Sequence, residues 1–469
     1  METHMTHGHT LDTPGASPEE SPSLVGHDDY AFSRVPASAR YSWWSVAVQR
    51  FGQLSALAQF FLAASIGVGM GFWDAMLAIL IGSVLLEVVT IFLGMAAVRE
   101  GLSTSVLARW TGFGCKGSTL VGLGLALSLT GWFAVQNEVF AEGLHVVFPA
   151  VPVWLLCVLG GVAVTLIVVY GFASMTWVAY VTVPAFLLLA TWSMVSELRH
   201  HSLSSLINAP PAGTEISLAV GTTIVAGGFI VGAIFTPDMA RYNRSTADVV
   251  KQTVVGVTFG EFYVGVAGVL LAHAVKASAS SDAGLVIGII QSTSGTLGVL
   301  ILVASILKIN DWNLYPSSLG LVNAAQGLFG KNLNRAVAAV ALGLIGSVLS
   351  ALSFADHFQA YLVELGILFP PIAGIMVADY FVLRTWRAEL DESRARNALP
   401  TTVPDWVPAG LVAWAVAYAF GKYSSENPEF LAAINVPAVS SLLVAFALHI
   451  GLGKLGLARG IRIRPTEKG

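Results

Sequence analysis

Twelve times along this chain an apolar run of about twenty residues passes with almost no charge in it. A helix rises about 1.5 Å per residue, so a run of about 20 matches the hydrocarbon thickness of a bilayer. A backbone in lipid must satisfy its own hydrogen bonds, and helices do so within one segment. The runs lie near 48–72, 75–98, 118–147, 153–172, 175–196, 219–236, 252–275, 286–314, 334–353, 358–383, 405–421 and 432–453. The expected fold is an all-α polytopic membrane protein. Only 11% of residues are Asp, Glu, Lys or Arg and 55% are hydrophobic, less than half the charge of an ordinary soluble domain. That composition excludes a water-soluble enzyme.

Residues 1–41 are rich in Ser, Pro, His, Asp and Glu and lack an apolar signal-peptide core, so they read as a disordered cytoplasmic tail. His4, His7 and His9 belong to that composition and not to a metal site. Residues 42–455 form the membrane domain, and 456–469 a basic cytoplasmic tail. Cys115 and Cys157 are too few for a disulfide framework and lack metal-ligand spacing. No metal or organic cofactor is expected.

An even number of spans places both termini on one side, and the positive-inside rule tests which side. With cytoplasmic termini, the inner segments collect twenty Lys and Arg, among them Arg34, Arg50, Arg99, Arg109, Arg241 and Arg394. The outer segments hold only Arg199, Lys276 and Lys422, and the one basic residue left over, Lys308, falls inside the eighth span. The cytoplasmic membrane, with both ends inside, is therefore the expected location.

Carriers built from inverted repeats bind their solute where a pair of helices is interrupted, and Gly-rich or Pro-broken spans in each half are the pointer. The first span carries Gln59, Gly67, Gly69 and Gly71; the sixth carries Gly227, Gly228, Gly232 and then Thr236-Pro237-Asp238. Spans five apart predict two five-helix repeats, about 48–196 and 219–383, with two extra helices over about 405–453. The same glycines also suit plain close packing between membrane helices.

Polar groups at membrane depth need a partner or a cavity. In span 3, Trp132 and Gln136 are four residues apart and share a helix face. In span 8, Lys308-Ile309-Asn310-Asp311-Trp312-Asn313 is a polar cluster that either lies at depth or marks a helix end near water. An indole offers a stacking surface, and carboxamides donate and accept at once, as in the reading of nucleobase edges. With no pocket of fixed charge in sight, this set suits a flat, neutral, hydrogen-bonding heterocycle. Phe229, after Gly227-Gly228, is placed to close the other side of the ring. His145, His273, His357 and His449 near span ends read as interfacial anchors.

Several stretches resemble the nucleobase:cation symporter-1 family, the group of cytosine permease and the hydantoin transporter. They are Gly101-Leu102-Ser103-Thr104 through Leu107-Ala108-Arg109, Lys116-Gly117-Ser118 and Gly131-Trp132-Phe133. Thr236-Pro237-Asp238 with Arg241-Tyr242, Asn310-Asp311, Leu314-Tyr315, Pro370-Pro371 and Ala378-Asp379-Tyr380 continue the series in order. The resemblance implies the LeuT-type fold of two inverted five-helix repeats, alternating access and ion-coupled uptake. It implies substrate contacts at Trp132 and Gln136, at Gln59, and at Asn310 or Asn313; Gly228 and Phe229 of span 6 complete the expected set from the residues themselves. Gly112 looks like an extra residue, and Gly228 stands where cytosine permease has Ser.

Sodium-coupled members resemble one another in two adjacent hydroxyl residues just before the span-8 Asn; this chain has Lys308-Ile309. Sodium needs oxygen ligands, which neither residue supplies. An ammonium at that position can instead hydrogen-bond span-1 carbonyls such as those of Ser55 and Ala58, and a buried lysine can exchange a proton. Proton coupling, or none, is the expectation, with an ion pair between Lys308 and an acid such as Asp311 or Glu138 as the alternative.

The reading is a permease symporter importing a purine, cytosine or related nucleobase. Allantoin, a hydantoin, or a vitamin such as thiamine or pyridoxine is the alternative. A channel is a reading from another class. An intramembrane enzyme would lack visible apparatus, since no HExxH, GxSxG or phosphate loop is present. The partners expected are a small heterocycle and membrane lipid, with no nucleic acid and no obligatory protein partner.

Overall fold

The structure is a computed structural model that describes residues 30, 33–54, 57–170, 172–275, 282–331, 333–430 and 435–466. Ser55, and the side chains of Ala58 and Lys308, lie outside the described residues. Every apolar run contains helix. Span 1 holds the helices Trp43–Leu54 and Leu57–Gly69; spans 2 to 6 are Phe72–Glu100, Gly114–Val147, Val153–Tyr170, Phe172–His200 and Leu218–Ile234. Span 7 runs from Thr246 through a π-helical turn, Val254–Thr258, into Phe259–Val275. Span 8 lies in Asp282–Phe329, span 9 is Arg335–Ala351, and span 10 runs from Phe358–Leu368 into Pro370–Val377. Pro408–Glu426 and Pro437–Lys454 complete the set as spans 11 and 12.

The packing carries the repeat. The second helix of span 1 packs on span 7, span 2 on span 6, span 3 on span 8 and span 4 on span 9. Exchanging spans five apart turns the 1–7 contact into the 6–2 contact and returns 3–8 and 4–9 to themselves. That is the relation two inverted five-helix repeats require.

Two expectations about interruptions are corrected. Gly227, Gly228 and Gly232 lie inside one continuous helix, and span 6 breaks only afterwards, at Phe235, before the short helix Thr236–Ala240. Gly227 is a close-approach glycine: a Cβ there would stand 1.8 Å from the Leu362 carbonyl oxygen of span 10. Span 8 does not end near Asn313. Its helix runs on through Pro316 to Phe329, so the polar cluster sits mid-helix, and the true interruption is at Gly295, with φ of 62°.

At the end of the bundle where the basic residues gather, Glu100 is fully buried. It takes Arg34 at 2.8 Å, Arg394 at 2.7 Å and the Tyr380 hydroxyl at 2.7 Å. Burial lowers Arg34 below the ordinary arginine range, against the hydrogen bond and charge of Glu100. The C-terminal segment is ordered here as well: β2, Ile461–Pro465, pairs antiparallel with β1, Thr402–Trp406. His273 and His449 are buried, not interfacial anchors. His449 meets Asp379 at 2.9 Å, and His273 faces the carbonyl oxygens of Gly67 and Leu206, each at 2.9 Å.

Candidate functional site

The expected residues fall into two groups that span 10 joins. On spans 1 and 6, the Gln59 carboxamide donates to the Gly228 carbonyl oxygen at 3.3 Å. Gly228 has no Cβ, which would otherwise sit 2.1 Å from Leu62, so the two helices approach closely at this level. Phe229 follows on the helix and is buried.

On spans 3 and 8, Trp132 and Gln136 are 5% and 2% exposed on the face the four-residue spacing predicts. The Gln136 carbonyl oxygen is buried with no hydrogen-bond partner among the described residues. A buried, unpaired amide oxygen costs about 1–3 kcal/mol, which gives it a standing demand for a donor. Asn310 donates to the Phe133 carbonyl oxygen at 3.3 Å, and Asn313 donates to the Asn310 side-chain oxygen at 3.1 Å. The two span-8 asparagines thus form one chain that ends on the span-3 backbone, beside Trp132.

Span 10 closes the arrangement, and the sequence analysis did not single it out. Phe358 stacks on Phe61 of span 1, with centroids 4.1 Å apart and planes at 2°, and meets Trp132 edge-on at 5.5 Å. Tyr361 meets Trp132 edge-on at 6.0 Å, and its hydroxyl donates to the Ser128 carbonyl oxygen. Gln359 donates to the Ser65 carbonyl oxygen of span 1 at 3.3 Å. The only signal in the sequence was an aromatic pair three apart at the start of an apolar run. Nothing local said that it crosses spans 1 and 3.

Other polar groups divide by role. Asn137 donates to the Cys157 carbonyl oxygen at 2.7 Å and to Ser350 at 2.8 Å, tying span 3 to spans 4 and 9. Glu138 accepts from the Ala355 backbone N–H at 2.8 Å, at the approach to span 10. Asp238, at the break in span 6, accepts from the Thr104 hydroxyl and backbone N–H.

Arg50, counted above with the solvated inner residues, is 1% exposed within Trp43–Leu54. It donates to the Gly232 carbonyl oxygen at 2.9 Å and to the Thr236 hydroxyl at 2.6 Å, and its guanidinium lies 5.9 Å from the centre of the Phe229 ring. A fixed charge therefore stands beside the site, contrary to the expectation of none.

Residues 34–451 match the family model described as permease for cytosine/purines, uracil, thiamine, allantoin. The chain is 30% identical to the cytosine permease of Escherichia coli K12, over 76% of this chain and 82% of that one. It is 23% identical to the hydantoin permease of Microbacterium maritypicum, over 92% and 89%. Among solved structures it is similar to Mhp1 in an inward-facing conformation, at TM-score 0.74 and 20% identity, over 90% of this chain and 93% of that one. The closed form of Mhp1 with bromovinylhydantoin bound gives a TM-score of 0.67 at 20% identity, over 91% and 95%. The helix pairing described above is thus that of a LeuT-type transporter. From the match over nearly its whole length, the chain belongs to the nucleobase:cation symporter-1 family of permeases, and is a secondary transporter.

Proposed function

We propose that this permease carries a flat nucleobase-like heterocycle inward across the cytoplasmic membrane, with both termini on the cytoplasmic side. The ring is held by Trp132 and read by Gln136, Gln59 and the Asn310–Asn313 chain. The observation that carries the reading is the unpaired Gln136 carbonyl oxygen, buried one helical turn from an indole. A ring N–H of a base is the donor that oxygen lacks. Alternating access then needs only that the ligand stabilise the outward and inward states differently.

A second reading, a hydantoin or allantoin ligand, is favoured by the Trp132 and Gln136 pair, which resembles the hydantoin branch. Thermal-shift and competition screening of the purified protein against cytosine, uracil, adenine, hypoxanthine, allantoin, benzylhydantoin and thiamine separates the two. Failure of every compound removes the ligand class.

We further propose that coupling runs on protons, or that there is none, and not on sodium. Lys308-Ile309 stands where sodium-coupled relatives resemble one another in a hydroxyl pair, and these side chains offer no oxygen ligand. Uptake into vesicles with the pH and sodium gradients imposed separately tests this. Stimulation by sodium at fixed pH would overturn it.

A further inference from the structure

Among the described residues, Arg50 is a cation without an ion pair. Its two terminal nitrogens are spent on a carbonyl oxygen and a hydroxyl, its Nε is buried with no partner, and no described carboxylate approaches it within ion-pair distance. Asp238 is the acid whose charge reaches it, but that carboxylate is engaged by Thr104. Span 7 seals the flank: a Cβ on Gly256, in the π-helical turn, would stand 2.6 Å from the Arg50 Cβ.

A buried charge left with neutral partners is expensive, and an ionisable group inside a membrane bundle is retained for what it does. Its position says what that is. Gln59 meets span 6 at Gly228 and Arg50 meets it at Gly232, four residues or about 6 Å further along the axis. Phe229 lies between these levels and is touched by the guanidinium's field. The charge thus stands about one helical turn from the proposed ring site, on the side of the span-6 break.

Resting on the function proposed above, we infer that Arg50 makes this site select heterocycles that carry a negative charge, or a strongly polarised oxo edge, over their neutral counterparts. The ligand supplies the countercharge that the fold withholds. A guanidinium suits this role because its planar fork matches an oxyanion and it is always charged.

Two pairs probe the charge: orotate against uracil, which differ by one carboxylate, and urate, an anion at neutral pH with two further oxo groups, against neutral hypoxanthine. Binding of all four is measured on the purified full-length protein for wild type, Arg50→Lys and Arg50→Gln. Wild type is expected to favour the anion in at least one pair by about ten-fold, the scale of one charge-assisted hydrogen bond. Arg50→Lys keeps most of that ratio, and Arg50→Gln, which retains a donor but no charge, brings it to about one. A wild-type preference for the anion in neither pair, or an unchanged ratio in Arg50→Gln, overturns the inference and leaves the parent reading standing. Binding of none of the four to wild type likewise overturns the inference alone, since the parent reading falls only if every compound of the wider screen fails.

Discussion

Asn310 donates its side-chain N–H to the Phe133 carbonyl oxygen at 3.3 Å, fixing span 8 to the span-3 backbone one residue beyond Trp132. Asn310→Ala strands the buried Asn313 amide and removes a second donor from the Phe133 carbonyl, which keeps its place in the span-3 helix. The expected cost is about 1–3 kcal/mol of stability, with weaker ligand binding because the backbone that aims the indole is released. Melting temperature with and without ligand reads both effects. A variant with normal stability and normal ligand shift would mean that the chain of amides positions nothing.

Gln136→Leu behaves in the opposite way. Its carbonyl oxygen has no partner to lose, and an apolar replacement of similar shape removes an unpaid desolvation cost. The ligand-free melting temperature is expected to hold or rise, while the ligand-induced shift disappears. A fall in ligand-free stability would show that Gln136 supports the fold and not a solute.

Trp132→Phe keeps a ring against Phe358 and Tyr361, and Trp132→Ala keeps none. Stacking of a base on an aromatic is worth about 1–3 kcal/mol. The Kd for the best ligand of the screen should therefore rise by about ten-fold or more in Trp132→Ala and by less in Trp132→Phe. Equal affinity in all three proteins would place the ring elsewhere.

Much of the architecture was legible because lipid imposes its own grammar. An apolar run must be helical, and charge must stay near its ends, so twelve runs and the arginine bias suffice to lay out a bundle. The spacing of Trp132 and Gln136 named a face for the same reason: a helix has one period. What stayed hidden needed partners distant in sequence. Phe358 acquires meaning only when it lies between Phe61 and Trp132, and Gly227 only when Leu362 passes over it. Arg50 misled because a cation near a span end reads as solvated, whereas the helix begins at Trp43 and span 7 covers it. Asn310 read as a group at membrane depth, with a helix end near water as the alternative, and it takes the helix running on through Pro316 to exclude that alternative.

The coupling proposal makes a gain-of-function claim. Lys308→Thr with Ile309→Thr places two hydroxyls before Asn310, which the sodium-coupled relatives resemble. Sodium-stimulated uptake should increase and dependence on the pH gradient should fall, read in vesicles with each gradient imposed alone. An unchanged ion dependence counts against Lys308 as the element that excludes sodium.

The cluster around Glu100 predicts a ranking. Glu100 is shared by Arg34, at 2% side-chain exposure, and by Arg394, at 30%. Removing the acid by Glu100→Ala leaves Arg34 charged without a countercharge and beside the like charge of Arg394, and breaking a buried pair this way costs about 3–5 kcal/mol. Arg34→Ala leaves Glu100 its contacts with Arg394 and Tyr380, so it should cost less. Arg394→Ala should cost least, because water reaches that guanidinium and screens it, holding a single partly exposed pair to about 1 kcal/mol or below. Combining Arg34→Met with Glu100→Gln removes both charges, and the double variant should be more stable than Glu100→Ala alone. Melting temperatures of the four proteins decide the order. If Arg394→Ala proves the most damaging, the stability of this corner comes from the helix that carries Arg394, Arg387–Ala395, and not from neutralisation of the buried Arg34.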